Sequence, residues 1–478
     1  MTGYFKLLTV IILLVIFLYY TIKTNVKYGY SLIDALKTNV LSIYIISVVI
    51  PLQYAIVEFH LSKQAASFGE TIFLGLCHLL IVAMLLFPSK KTLIKSGNSL
   101  KWLGAIVAIA VASYFNPNNC NPPATLIGIY YVCSLLISSF VIYRSYNSTE
   151  IFEAMWNGFK IIVLIEFILA IAYPVLDMHE VTTMFYGAIT GEHAERGFRS
   201  SAVGTFDHPG PLGLILSFIF IYFATNYAHG IRKKESLSFA IVSAIVVALS
   251  QSRASYIISI LSVIIIYILR NVTKLKNIIR YSFIGILGIL FISYIFIFHT
   301  DVGKNLFLSY EFNKMLMARF VHWYIGWNAF IKNPILGTGL NAHLSFISDN
   351  KIIRLLGLKL SENDFYATNP IHNSHLIILC ELGLLGGILW IWGFYSLIKI
   401  NIVSIIELNR NKIKYPTSHE SMYAVSQNFA VLILIAYIVY AFIGWATMHY
   451  YTFVFVLISV FFSEKSRLER EISNPKKQ

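Results

Sequence analysis

The sequence predicts an all-α integral membrane protein of about 12–13 transmembrane helices, with a large outer loop before the last three spans. Three observations predict it. The 478 residues are 57% hydrophobic and only 13% charged, with a mean hydropathy of +0.70, a balance that soluble domains rarely reach. Apolar runs close to the ~20 residues needed to cross a bilayer recur from end to end. Lys and Arg gather in alternate short loops, as they do on the cytoplasmic side of polytopic proteins.

The runs fall at residues 5–20, 40–57, 71–87, 102–114, 125–143, 158–176, 211–227, 237–249, 254–269, 281–298, 375–397, 425–442 and 446–462. The first resembles a signal-peptide core, but Thr21, Lys23 and Asn25 follow it in place of a small-residue cleavage site. It is expected to be a retained helix. Residues 1–478 read as a single polytopic membrane domain. No internal repeat, Pro-rich or Gly/Ser-rich linker, P-loop or nucleotide fingerprint interrupts it.

The net charge of +14 is a matter of topology. Lys90, Lys91, Lys95 and Lys101 share one short loop, Arg232, Lys233 and Lys234 a second, Arg270, Lys274, Lys276 and Arg280 a third, and Arg410, Lys412 and Lys414 a fourth. The alternate loops hold only Lys63, and "NPNNCNPP" holds none. The basic set is therefore expected inside, facing anionic headgroups of the lipid bilayer, and nucleic acid is not an expected partner. Two long loops, 177–209 and 299–372, fall outside. Connections of that length usually bind or cover something.

Cysteine adds little. Cys77, Cys133 and Cys380 sit in apolar runs and Cys120 in a short outer loop, so no disulfide framework or metal spacing arises.

Four polar clusters lie on the outer side: "RGFRSSAVGTFDHPGPLG" with Arg199, "LSQSRASY" with Arg253, "MARFVHWYIGWNAFIKNPILGTGL" with Arg319, and "NPIHNSHLIILCELGLLGG" with His372, Asn373, His375 and Glu381. Arg319, Trp323, Trp327 and Phe330 recur at helical spacing, and "NPILGTG" ends that helix. Three guanidinium forks on one face suit phosphate oxygens. They equally suit snorkelling to headgroups for Arg253, or solvation in loops for Arg199 and Arg319. His372 and His375, three apart, share one helix face. An imidazole there is a good proton acceptor, and is also an ordinary polar cap for a span beginning with Asn and Ser. No HExxH pattern and no third ligand accompany them, so no metal site is expected. Glu381, inside an apolar run, must face protein or water. Gly383, Gly386 and Gly387 suit close helix packing.

In order and content these clusters resemble the O-antigen ligase and O-antigen polymerase family of bacterial membrane glycosyltransferases. The resemblance runs from Arg199 to Gly387. It lies in the Arg and "GTFDHPGPLG" turn, "SQSRAS" between two spans, the Arg, Trp, Pro and paired-Gly run of the large loop, and the His-Asn, Glu-x-Gly and small-residue run. It implies an enzyme of the inner membrane with its site facing the periplasm or cell exterior. The donor would be an undecaprenyl-diphosphate-linked glycan and the acceptor another glycan or lipid A–core. No cofactor or metal is implied, and other polysaccharide-assembly membrane proteins are implied as neighbours. By position, His372 matches the family's essential histidine and general base. Arg253, Arg199 and Arg319 match its diphosphate-binding arginines, with Asn373, His375 and Glu381 in support. The family places an aromatic residue three after its histidine. Here His375 stands there, so the base is one of two histidines, with His372 favoured by its place before Asn373. A secondary transporter or lipid-linked glycan flippase is the rival class, but such folds usually carry internal repeats. A non-catalytic assembly component is a third.

Overall fold

The computed structural model describes residues 32–49, 57–61, 71–87, 97–172, 204–206, 209–274, 310–347, 371–410, 418–443 and 450–473, with isolated positions besides. The expected spans at 5–20 and 281–298 lie outside the described residues apart from isolated positions. So do most of the first long loop and residues 348–370 of the second.

Helices dominate. In chain order they are α1 Leu32–Val49, α2 Leu76–Leu85, α3 Asn98–Tyr114, α4 Pro122–Ser145, α5 Ser148–Ala172, α6 Pro209–Ala228 and α7 Lys233–Ser250. They continue with α8 Arg253–Asn271, α9 Tyr310–Lys332, α10 His343–Ile347, α11 Ser374–Arg410, α12 Ser418–Ile443 and α13 Tyr450–Ser473. Among the described residues six are long and apolar enough to cross a membrane, namely α4, α5, α6, α8, α11 and α12. The chain is an integral membrane protein built on helices.

Two expected spans differ in detail. The run at 40–57 is helical over its described part to Val49, residues 50–56 lie outside the described residues, and Val57 belongs to a strand. The run at 71–87 opens with a strand. β1 (Val57–His60) pairs antiparallel with β2 (Thr71–Leu74) in the register Val57↔Leu74 to His60↔Thr71, and only then does α2 begin. Phe, Val, Ile and Thr in these two stretches favour a pleated backbone.

Helix ends follow local chemistry. Asn121 caps α4, accepting from Ala124 N at 3.1 Å, with Pro122 at the first turn. α7 ends at Gln251, left-handed at φ 52, and α8 starts two residues later. α11 is broken at Gly383, where φ is 65 and ψ −162, a conformation open only to glycine.

Aromatic layers hold the bundle together. Trp102 of α3, Trp390 and Phe394 of α11, Tyr437 of α12 and Phe453 of α13 form one. The Trp102 indole lies over Gly393 and donates to Leu389 O at 2.9 Å. A second joins Trp156 and Phe159 of α5, Tyr222 of α6, Phe429 of α12 and Phe455 of α13.

The two ends of the bundle differ. At the end bearing the basic loops, α13 reaches across to two other helices. Glu464 accepts from Ser99 N at 3.1 Å and from Ser99 Oγ at 2.5 Å, at the start of α3. Glu469 accepts from Ser148 N at 2.9 Å and from its hydroxyl, at the start of α5. Both carboxylates thus sit at helix N-termini, where unpaired N–H groups and the dipole favour them. At the other end, "NPNNCNPP" meets the large loop. Cys120 N donates to Thr338 O at 2.9 Å, Asn116 Nδ2 to Gly337 O at 2.7 Å, and Asn121 Nδ2 to Ser345 Oγ at 2.8 Å. The stretches that touch, 116–123 and 337–345, hold no Lys, Arg, Asp or Glu.

Candidate active site

α9 brings one face to the start of α11. Arg319, His322, Trp323 and Gly326 fall at i, i+3, i+4 and i+7, the spacing of a single helical face. His322 is buried, and its ring stacks on His372 with centroids 5.9 Å apart and planes 10° from parallel. Trp323 Nε1 donates to the His372 carbonyl at 3.3 Å. Gly326 permits the approach, since a Cβ there would lie 2.8 Å from Ile371 Cδ1. Arg319 lies against Tyr440 of α12. Burial lowers the guanidinium pKa from its ordinary value and the nearby phenol works the other way. A guanidinium stays cationic at neutral pH all the same. The adjoining side of α9, with Phe320, Tyr324 and Trp327, is half exposed.

α11 starts on a cap. Asn373 Oδ1 accepts from Leu376 N at 3.0 Å and Asn373 O accepts from Ile377 N at 3.0 Å. Asn373 therefore has the cap role its type suggests. His372, just before it, is partly buried.

His375 is held on both ring nitrogens. Trp390 Nε1 can only donate, and it reaches His375 Nδ1 at 3.0 Å. The proton therefore sits on Nε2, which donates to Ile438 O at 3.2 Å. Phe442 packs on the ring at 4.4 Å between centroids. Trp323, Trp327, Asn373, His375, Leu376, Leu379 and Phe442 line an open, mainly apolar groove of about 340 Å³ beside this ring.

Glu381 is fully buried and accepts from His343 Nδ1 at 2.7 Å. It does not face lipid. The break in α11 explains how the large loop gets there. Residues 334–339, a series of turns, lie against the broken turn of α11. Thr338 N donates to Cys380 O at 2.9 Å, Gly339 N to Glu381 O at 3.1 Å, and Leu384 N to Pro334 O at 2.7 Å. Gly337, at φ +71, abuts the Glu381 carbonyl. The backbone groups freed by the break are thereby satisfied within the protein, the condition for non-helical backbone at membrane depth.

Arg253 belongs to a second cluster at the same end. It is partly buried at the first position of α8, which packs on α12 and α11. A cation there adds to the positive end of the helix dipole, an arrangement that suits an anion nearby. The stretches that flank the "GTF" turn meet "LSQSRAS" beside it. Ala202 N donates to Leu249 O at 2.9 Å, and a Cβ at Gly213 would lie 2.6 Å from Ser255 Oγ and 2.8 Å from Ser250 Oγ. The turn is clasped by Glu166 of α5, fully buried, which accepts from Thr205 N at 2.9 Å and from the Thr205 hydroxyl. Arg199 lies outside the described residues.

Residues 238–391 match the O-antigen ligase family. The resemblance read from the sequence is borne out over this segment. It supports a membrane glycosyltransferase-like role in O-antigen assembly. No curated protein matches the chain significantly. The matched segment runs from α7 into α11, so it contains Arg253, Arg319, His372, Asn373, His375 and Glu381 but not Arg199.

Four residues of this region carry no distinctive sequence signal: His322, His343, Tyr440 and Glu166. His322 is three beyond Arg319, on the same helical face, and that spacing could have found it. His343 and Glu166 matter only through partners 38 and 39 residues away, which spacing does not reveal.

Proposed function

We propose that the chain transfers a glycan from undecaprenyl diphosphate to an acceptor hydroxyl at the outer leaflet, with His372 as general base. The observation that supports the reading is that the two imidazoles packed near His372 are each committed elsewhere. His375 spends both nitrogens on Trp390 and Ile438, and His322 is buried beneath His372. His372, like His375, is partly exposed, and it stands directly before Asn373, the residue that caps α11.

The chemistry follows from these placements. The acceptor oxygen attacks the anomeric carbon as the bond from that carbon to the diphosphate oxygen breaks. His372 takes the hydroxyl proton, and the diphosphate leaves with the bonding pair. A single displacement inverts the anomeric centre. Negative charge grows on the leaving oxygens, so fixed guanidinium groups stabilise the transition state more than the ground state. Arg319 and Arg253 fit that role, and Arg199 is assigned to it from the sequence. A neutral His322 against the His372 ring leaves room for the charge His372 gains. Tyr324 and Trp327, half exposed, fit sugar-stacking surfaces.

The transporter reading would draw support from a broken helix. In transporters the freed backbone groups line a cavity. Here residues 334–339 occupy them, which favours the enzyme.

Purified protein given a lipid-linked glycan donor tests the proposal. His372→Ala is expected to abolish transfer with expression and thermal stability retained. Unchanged transfer in that variant overturns the assignment. The product separates the two family activities: lengthened glycan on the carrier lipid for a polymerase, the reading favoured here, or glycan on lipid A–core for a ligase.

A further inference from the structure

We propose that His343 and Glu381 form a buried two-residue relay that positions the backbone leading into His372. Its structural basis is independent of the reaction, and its catalytic consequence rests on the glycosyl-transfer reading.

Both side chains are sealed, with 0% exposure for His343 and 1% for Glu381. They come from distant parts of the chain, His343 opening α10 and Glu381 lying two residues before the break in α11. His343 Nδ1 is 2.7 Å from Glu381 Oε1, and Ile371 N donates to His343 Nε2 at 3.4 Å. A backbone N–H can only donate, so Nε2 must offer its lone pair. The ring proton is then on Nδ1, and Glu381 must accept it. Geometry thus selects a neutral His343 in the Nδ1–H form, facing an acceptor oxygen.

The relay ends one residue before His372. Two more bonds grip the same stretch. Trp323 holds the His372 carbonyl at 3.3 Å, and Asn373 is tied into the first turn of α11 through Leu376 N at 3.0 Å. Residues 371, 372 and 373 are therefore each fixed by a separate partner. Removing the His343 acceptor would leave the Ile371 amide buried without its partner, since Ile371 is 0% exposed. The chain would then shift toward another acceptor, carrying His372 with it. Displacements on the order of 1 Å at a reacting group can cost ~100-fold in rate.

The same pairing explains a carboxylate at membrane depth. A buried carboxylate is costly unless hydrogen-bonded. Glu381 is held by the His343 N–H, while its backbone carbonyl takes Gly339 N at 3.1 Å. Side chain and backbone of one residue thus bind both ends of the segment 339–343.

The test compares His343→Gln with His343→Leu in the full-length protein reconstituted in nanodiscs. A glutamine amide keeps one donor for Glu381 and one acceptor for Ile371 N, while leucine keeps neither. His343→Leu is expected to lower kcat by roughly 10–100-fold with the donor KM within about twofold, and His343→Gln to recover most of the loss. A rise in KM at constant kcat would mean substrate contact and overturn the positioning role. So would equal defects in the Gln and Leu variants with thermal stability retained, or no defect in either. Nitrogen-15 NMR of histidine-labelled protein gives a readout free of catalysis. The signal lost in His343→Gln is expected to report the neutral Nδ1–H form. An Nε2–H or doubly protonated ring there overturns the relay even if transfer is observed. If the wild-type protein transfers nothing, the functional reading falls and the tautomer alone decides the relay.

Discussion

Burial holds the pKa of His322 at about 3, against an ordinary 6.5, with His372 and His343 nearby lowering it further. His229, where Asn428 Nδ2 approaches Nε2 at 3.2 Å, is held at about 4 by burial and then by Arg270. Both are folded-state values depressed below the unfolded one. Between those values and about 6.5 the unfolded chain binds protons that the folded chain refuses, so stability present above that range is lost as pH falls through it. The thermal unfolding midpoint of the wild-type protein is expected to drop between about pH 7 and pH 5. The drop should be smaller in His322→Phe. An equal drop in both proteins would remove His322 from the account. At this scale the sequence disclosed residue types but not pairings. Arg319, His372 and Asn373 stood out beside turn residues and apolar runs. The sequence could not show that the His375 ring is held by Trp390 and Ile438, because packing supplies both partners.

The break in α11 governs the behaviour of its element. Gly383 combines φ 65 with ψ −162, and its missing side chain would press on the Ile335 carbonyl. Gly383→Ala is expected to cost about 1–3 kcal/mol from the backbone alone, and more from the collision. Thermal unfolding in detergent measures it. Gly104→Ala is the control: nothing lies within 4 Å of that Cβ in α3, so the change should be neutral or stabilising. Equal effects at the two sites would show that the break carries no special burden. The glycine was legible only as a packing residue. A run such as "ELGLLGG" carries the composition of a straight close-packed helix, and the break appears once residues 334–339 are seen to satisfy the groups it frees. The β1–β2 hairpin was missed for a related reason. Its strands sit within or beside apolar runs that hydropathy alone counts as helix.

Across the whole molecule, hydropathy and loop charge disclosed the bundle, because lipid demands apolar runs and insertion demands charge asymmetry. They did not disclose how the helices are fastened. Glu464 and Glu469 lie in a polar stretch that reads as tail, yet α13 continues through them to Ser473. Glu464→Gln and Glu469→Gln are each expected to lower stability by about 1 kcal/mol through loss of charge at a helix N-terminus. Unfolding curves of the single variants check it, and no change in either would reduce these contacts to surface decoration. The bonds from Ser99 to Glu464 and from Ser148 to Glu469 span 365 and 321 residues. The starts of α3 and α5 therefore enter the bilayer long before their acceptors are translated. Until then those amides depend on water at the membrane surface or on a helper protein. Assembly of this bundle thus has a late step, and a ribosome stalled before Glu464 would leave early helices inserted but unlatched, open to quality-control proteases.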